Sequence, residues 1–107
     1  MIIFVNTDYI DADIEKLRNE DKVAYKKVEK HLLFLEVAGS ELRAPKSKYV
    51  RNHIFELRPD NIRILYCFHE QEAICLVYFV KKRDALPEHI IKQAEERRGK
   101  FINKLGK

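Results

Sequence analysis

A chain of 107 residues, 46% hydrophobic and 36% charged, makes one domain over residues 1–107 with a single core and a densely charged surface. That balance excludes a disordered chain. The longest apolar runs, near residues 73–80, fall far short of the about 20 residues a membrane helix needs. The net charge of +4 is unevenly spread: residues 1–42 carry 6 basic and 9 acidic side chains, residues 43–80 carry 6 and 4, and residues 81–107 carry 9 and 4. Positive charge therefore gathers toward the C-terminal side, as it does where one face meets a polyanion.

In chain order, Ile2, Ile3, Phe4 and Val5 read as a short first strand. The opening residues MIIFVNTDYIDADIE lack a basic stretch followed by a small-residue cleavage site, so a cytoplasmic location is expected. Ile10, Ile14 and Leu17 fall at helical spacing, and Tyr25, Val28, Leu32 and Leu35 form a cleaner stripe opposite Lys26, Lys27 and Lys30. That second helix is expected to stop near Gly39, a natural C-terminal cap. A polar stretch with Arg43, Pro45, Lys46, Lys48 and Arg51 leads into a strand read as running from Tyr49 to Arg58. Tyr49, His53, Phe55 and Leu57 share one face of it; Val50, Ile54, Glu56 and Arg58 share the other.

Arg58-Pro59-Asp60-Asn61 is a turn by composition. Two apolar strands follow, from Ile62 to Phe68 and from Ala73 to Val80. Cys67 and Cys75 lie in them, and with the turn centred on Gln71 they would face each other as small buried hydrophobes. Two cysteines support neither a disulfide framework nor a zinc site of their own. Lys81-Lys82-Arg83 ends the last strand, and Pro87 suits the first turn of a closing helix with an Ile90, Ile91, Ala94, Phe101 stripe. The predicted fold is α+β, ordered β-α-α-β-β-β-α. It is an antiparallel meander with two N-terminal helices on one face, a C-terminal helix, and room for a functional surface on the other face.

Arg63 breaks its local pattern, as the only charge in IRILYCF. A buried guanidinium needs a partner, which leaves two readings open. One is an ion pair with Glu56 or Asp60; the other is an outward fork whose planar donors match phosphate oxygens. Lys81, Lys82 and Arg83 also read two ways, as guards of a sheet end or as part of an anion site. The meander puts them beside Arg63 and, one strand over, Arg58. Five like charges in one place oppose folding and suit a phosphate backbone. Of four histidines, His31 and His69 are expected at the surface, while His53 and His89 could border the basic face and shuttle a proton. No zinc spacing, Gly-rich phosphate loop or Ser-His-Asp set is legible, so no metal or cofactor is expected.

The stretch FELRPDNIRILYCF…ICLVYFVKKRDALPEHIIKQAEERR resembles the RelE/HigB-like toxins, particularly their phage-derived HigB-like branch. The carriers are Phe55-Glu56-Leu57-Arg58, Arg63-Ile64-Leu65-Tyr66, Phe79-Val80-Lys81-Lys82, and Pro87 with Glu88, Ile90, Ile91 and Ala94. The resemblance implies a small RelE-like fold and the toxin of a type II toxin–antitoxin module. Such a toxin is an endoribonuclease that cuts mRNA on the ribosome by 2′-hydroxyl attack on the phosphodiester, without metal. Its partners would be the ribosome, mRNA and a cognate antitoxin, of helix-turn-helix type by the family pattern. By position, Arg63, Lys82, Arg83 and His89 look like the catalytic set, with Arg58, Lys81, His53, Lys46, Lys48 and Arg51 as RNA contacts. Ile54 and Glu56 replace the basic residues that RelE itself carries on that strand. Two alternatives stay open: a gyrase inhibitor like the ParE toxins, and a non-catalytic nucleic-acid-binding adaptor of the same fold.

Overall fold

Two helices, a five-stranded sheet and a third helix make up the fold of the described residues, and the sheet separates two cores where a single one was expected, because helices cover both of its faces. The computed structural model describes residues 2–82 and 85–105. Strand β1 (Phe4–Asn6) is followed by a 3-10 turn, then by α1 (Asp11–Glu20) and α2 (Lys22–Ala38). Next come β2 (Ser47–Arg51), β3 (Ile54–Leu57), β4 (Ile62–His69), β5 (Glu72–Val80) and α3 (Glu88–Leu105). The strand order is β1-β5-β4-β3-β2.

The expected helix boundaries follow from local chemistry. The Asp21 carboxylate accepts from the Ala24 backbone N–H and starts α2. Gly39, at φ 57°, ends it in a conformation that costs glycine little. On the sheet face toward α1 and α2, Ile10, Val28, Leu35, Leu57, Ile62, Ile64, Tyr66 and Cys75 are buried together. On the opposite face, Ile91 and Ala94 of α3 close over Ile54, Leu65, Cys67, Ile74, Leu76 and Val77. Both faces of β4 and β5 are thus covered, which is why their sequences are apolar throughout.

The sheet departs from the expected meander in two ways. The segment read as one strand from Tyr49 to Arg58 is a hairpin, β2 and β3, folded at Asn52 and His53 with φ of 49° and 68°. Two successive positive φ values define the tight turn whose twist suits a two-residue hairpin. Asparagine tolerates that region, but no glycine marked it. The second departure is β1, which adds to β5 in parallel at the far edge and makes the sheet mixed.

The β4–β5 turn falls at Glu70 and Gln71, with Glu70 at φ 57°. Cys67 therefore stands opposite Ile74, and Cys75 opposite Tyr66. The two thiols point to opposite cores and do not face each other, because alternation along a strand turns a one-residue offset into a change of face. A bulge lets Leu65 pair with Val77 and Tyr66 with Cys75, leaving Leu76 over. Arg97 of α3 donates to the Leu76 carbonyl at 2.7 Å, satisfying the group that the ladder leaves out.

This packing can be probed at a buried hydroxyl pair and at the two thiols. The Ser47 and Tyr66 hydroxyls bond each other at 2.5 Å in a buried site. Ser47→Ala should cost about 1–3 kcal/mol in urea unfolding by stranding the phenol, and adding Tyr66→Phe should recover part of the loss. Purely additive losses would show that the bond contributes nothing. Burial pushes the Cys67 thiol up to about 11 and that of Cys75 up to about 12. Native protein at pH 7 should therefore resist iodoacetamide at both thiols, and urea should expose both to it, as mass spectrometry would read.

Candidate nucleic-acid interface

The hairpin β2–β3 and the end of β5 leave a hollow beside α3, on the α3 side of the sheet. Its volume is about 250 Å³, and it is lined by Lys48, Tyr49, Val50, Glu56, Arg58, Lys81, Ala85 and Leu86. Register explains the gathering. Lys48 pairs with Glu56, Glu56 with Leu65, and Arg63 with Phe79, so these side chains rise from one sheet face. The backbone N–H of Lys81 donates to the Asn61 carbonyl at 2.7 Å and that of Arg58 to the Lys46 carbonyl at 2.9 Å. These two bonds fix the chain on either side of the hollow.

Glu56 organises the charges. It is 7% exposed, and its carboxylate lies 3.4 Å from Arg58 Nε and 3.9 Å from Arg63 Nε. Among the described residues both buried Nε atoms have no hydrogen-bond partner, so these are charge contacts and not formed hydrogen bonds. Arg63, also 7% exposed, donates through Nη1 to the Asp60 and Ile62 carbonyls at 2.6 and 2.8 Å. Burial lowers its pKa from the ordinary value, the Glu56 carboxylate opposes that, and the Arg58 charge adds to it. Of the two readings left open, the structure supplies the internal one: Arg63 sits against Glu56 and does not line the hollow.

The other expected residues divide by location. Lys48, Arg58 and Lys81 line the hollow, and Lys82 lines a neighbouring one of about 160 Å³ with Phe79, Ala85 and Pro87. Arg83 lies outside the described residues. Lys46 extends over the Phe34 ring of α2, 4.9 Å from its centroid, away from the hollow. Arg51 is held by Glu88 and by Glu95, whose Oε1 is 3.1 Å from its Nη2. It therefore works as a strut between β2 and α3. His53 is exposed in the β2–β3 turn, its backbone N–H donating to the Tyr49 hydroxyl at 3.1 Å. His89 is exposed in the first turn of α3, the helix that begins just past Leu86 at the hollow's rim.

His31 is half-buried, with Nδ1 2.9 Å from the Lys27 carbonyl, and half-buried His69 ends β4 near Phe101. Sequence reasoning missed Val50 and Leu86, the apolar walls of the hollow, and the tie from Arg51 to α3. The Glu88 and Glu95 spacing on one helix face, opposite a lone arginine, was the available signal for that tie. Among the described residues, no helix is long and apolar enough to cross a membrane, and no three His, Cys, Asp or Glu side chains gather as a metal site.

Fold and hollow together define a small α+β protein with a cation-lined cleft on one face of a mixed sheet. A family model described as "Phage derived protein Gp49-like (DUF891)" matches residues 15–99. The chain belongs to this phage-derived Gp49-like family, a RelE-like toxin family. No curated protein matches it.

The strut gives α3 a pH dependence of definite sign. Hydrogen bonds from Arg51 hold the Glu88 and Glu95 carboxyls below their ordinary value of 4.5. Folding gains from them above that value, and the gain disappears as pH falls through the lowered pKa values. Amide exchange in the first two turns of α3 should be slow at pH 7 and faster relative to the sheet core near pH 3. Arg51→Ala should bring the acid pattern to pH 7, and unchanged protection in that variant would show that α3 is anchored by its apolar stripe alone.

Proposed function

We propose that this protein is the toxin of a type II toxin–antitoxin module, acting as an endoribonuclease on mRNA at the ribosome. The observation that carries this reading is the convergence of Arg58, Lys81 and Lys48 on one hollow, with Arg63 behind Glu56. Among the described residues, the buried Nε–H groups of Arg58, in that lining, and of Arg63, behind it, have no hydrogen-bond partner. Such a concentration of like charge is unfavourable for folding and favourable for a polyanion. Membership of a RelE-like toxin family supports the same reading.

In the reaction we assign, the ribose 2′-oxygen attacks the adjacent phosphorus and loses its proton to a general base. The bond to the 5′-oxygen breaks, giving a 2′,3′-cyclic phosphate, and the leaving 5′-oxygen takes up a proton to become a hydroxyl. Arg58 and Lys81 would hold the phosphoryl oxygens as they gain charge. Arg63, as a positioning residue, would fix Glu56 and through it Arg58. Lys82 and Arg83 would extend the phosphate contacts, and His89, on the helix at the rim, is the proposed proton carrier. The reading brings a partner with it: a neutralising antitoxin, of helix-turn-helix type, alongside ribosome and mRNA.

Induced expression should arrest growth and leave mRNA fragments with 5′-hydroxyl ends. Arg58→Ala and Lys81→Ala should each cut that cleavage by 10-fold or more. Each should also lower the salt slope of RNA binding by about 1, as expected when one phosphate goes unneutralised. Arg63→Lys should impair cleavage with little change in that slope. Growth arrest with intact mRNA and blocked DNA supercoiling would replace the nuclease by a gyrase inhibitor. Salt-sensitive RNA binding with neither arrest nor cleavage would leave a non-catalytic adaptor.

A further inference from the structure

A further cavity lies where the 3-10 turn after β1 meets the C-terminal half of α3. It measures about 330 Å³ and is lined by Asn6, Asp8, Tyr9, Lys100, Phe101 and Lys104. That volume is near the lower end of small-molecule sites, about 300–1,000 Å³. All six residues fall outside residues 15–99, the span that the family model matches. Its position is also separate from the Lys48–Arg58–Lys81 hollow, since α3 runs 18 residues, about 27 Å, and this cavity adjoins its far end.

The lining combines three chemistries. Tyr9 and Phe101 provide aromatic walls, and the Arg97 guanidinium lies 5.4 Å from the Tyr9 ring centroid, holding the turn against α3. Lys100 and Lys104 stand one helical turn apart on the rim. Among the described residues Lys100 has only an exposed contact with Glu96, at 3.4 Å. Asp8 is placed by a relay: Glu72 accepts from Asn6 Nδ2, and Asn6 Oδ1 accepts from the Asp8 backbone N–H, both at 2.9 Å. The Asp8 carboxylate itself makes no hydrogen bond or ion pair among the described residues.

We infer that this cavity binds a guanine nucleotide. The base would stack on the aromatic walls, as bases do on single-strand-binding proteins, and the lysines would meet the phosphate. Asp8 sets the base preference. Guanine presents two adjacent N–H donors, N1–H and N2–H, on its Watson–Crick edge and so matches the two oxygens of a carboxylate. Adenine, cytosine and uracil each offer one donor group there. The nucleotide can be free or part of an RNA strand; the RNA version alone rests on the proposed function, because such a strand would run along α3 to the basic hollow.

The test is a titration of the whole protein, followed by two-dimensional NMR, with GMP, AMP and the pentanucleotides UUGUU and UUAUU. GMP should shift amides of residues 6–10 and 97–104 and bind at least about 5-fold more tightly than AMP. Asp8→Asn, nearly isosteric, should abolish that preference. Tyr9→Ala should weaken both nucleotides about 10-fold, while Tyr9→Phe should leave them unchanged. UUGUU binding well above GMP, with added shifts at Arg58 and Lys81, assigns the site to RNA, and equal affinities assign it to free nucleotide. The inference is overturned if neither guanine probe shifts those segments, or if the preference for GMP survives in Asp8→Asn. No cleavage is read, so an inactive nuclease with guanine-dependent shifts would keep the cavity and discard the nuclease.

Discussion

The buried carboxylate of Glu56 is the constraint around which the basic side of the sheet is arranged. A carboxylate at that depth without counter-charge would cost several kcal/mol, and two guanidinium groups beside it offset part of that penalty. Glu56 in turn allows Arg58 and Arg63 to coexist on neighbouring strands. The compensation is incomplete, since both Nε–H groups lack hydrogen-bonding partners among the described residues. Positive charge from Lys48 and Lys81 then lines the same hollow, where Glu56 is the one carboxylate among the described lining residues. An excess of this kind, held in a fixed geometry, is what an anionic ligand would complete.

Helix α3 decides how open that excess is. Its apolar stripe covers the middle of the sheet through Ile91 and Ala94, and its first two turns are tied to β2 by Arg51 with Glu88 and Glu95. Arg97 ties its later half to the bulge at Leu76. Between these ties the helix is a fixed wall, leaving the hollow near its start and the Tyr9–Phe101 cavity near its end. Arg51 shows how the same residue type serves opposite ends: with two carboxylates facing it, it braces the fold, whereas Arg58 shares one buried carboxylate and still lines the hollow.

Much of the architecture was legible because it depends on local period and punctuation. The α2 stripe of Val28 and Leu35, the stop at Gly39 and the two apolar strands before Lys81 all appear where pattern places them. The hairpin at Asn52–His53 was hidden, because Val50, Ile54 and Glu56 keep an alternation that a single strand would also show. The parallel docking of β1 was hidden for another reason. Its partner β5 lies about seventy positions later in the chain, and nothing in three residues encodes a parallel neighbour.

By itself, the sequence determined the element types, the burial of β4 and β5, and the presence of surplus cations near the end of the last strand. Those properties follow from side-chain period and composition, which act over a few residues. Tertiary structure alone decided which cations are available: Arg63 turned inward to Glu56 and backbone carbonyls, Arg51 taken by α3, Lys46 resting on Phe34, and Lys48, Arg58 and Lys81 left around the hollow. It also decided that Cys67 and Cys75 occupy different cores. The physical reason is the same in each case: a charge or thiol is defined by what stands opposite it, and that neighbour is set by strand register and helix docking, not by adjacency in the chain.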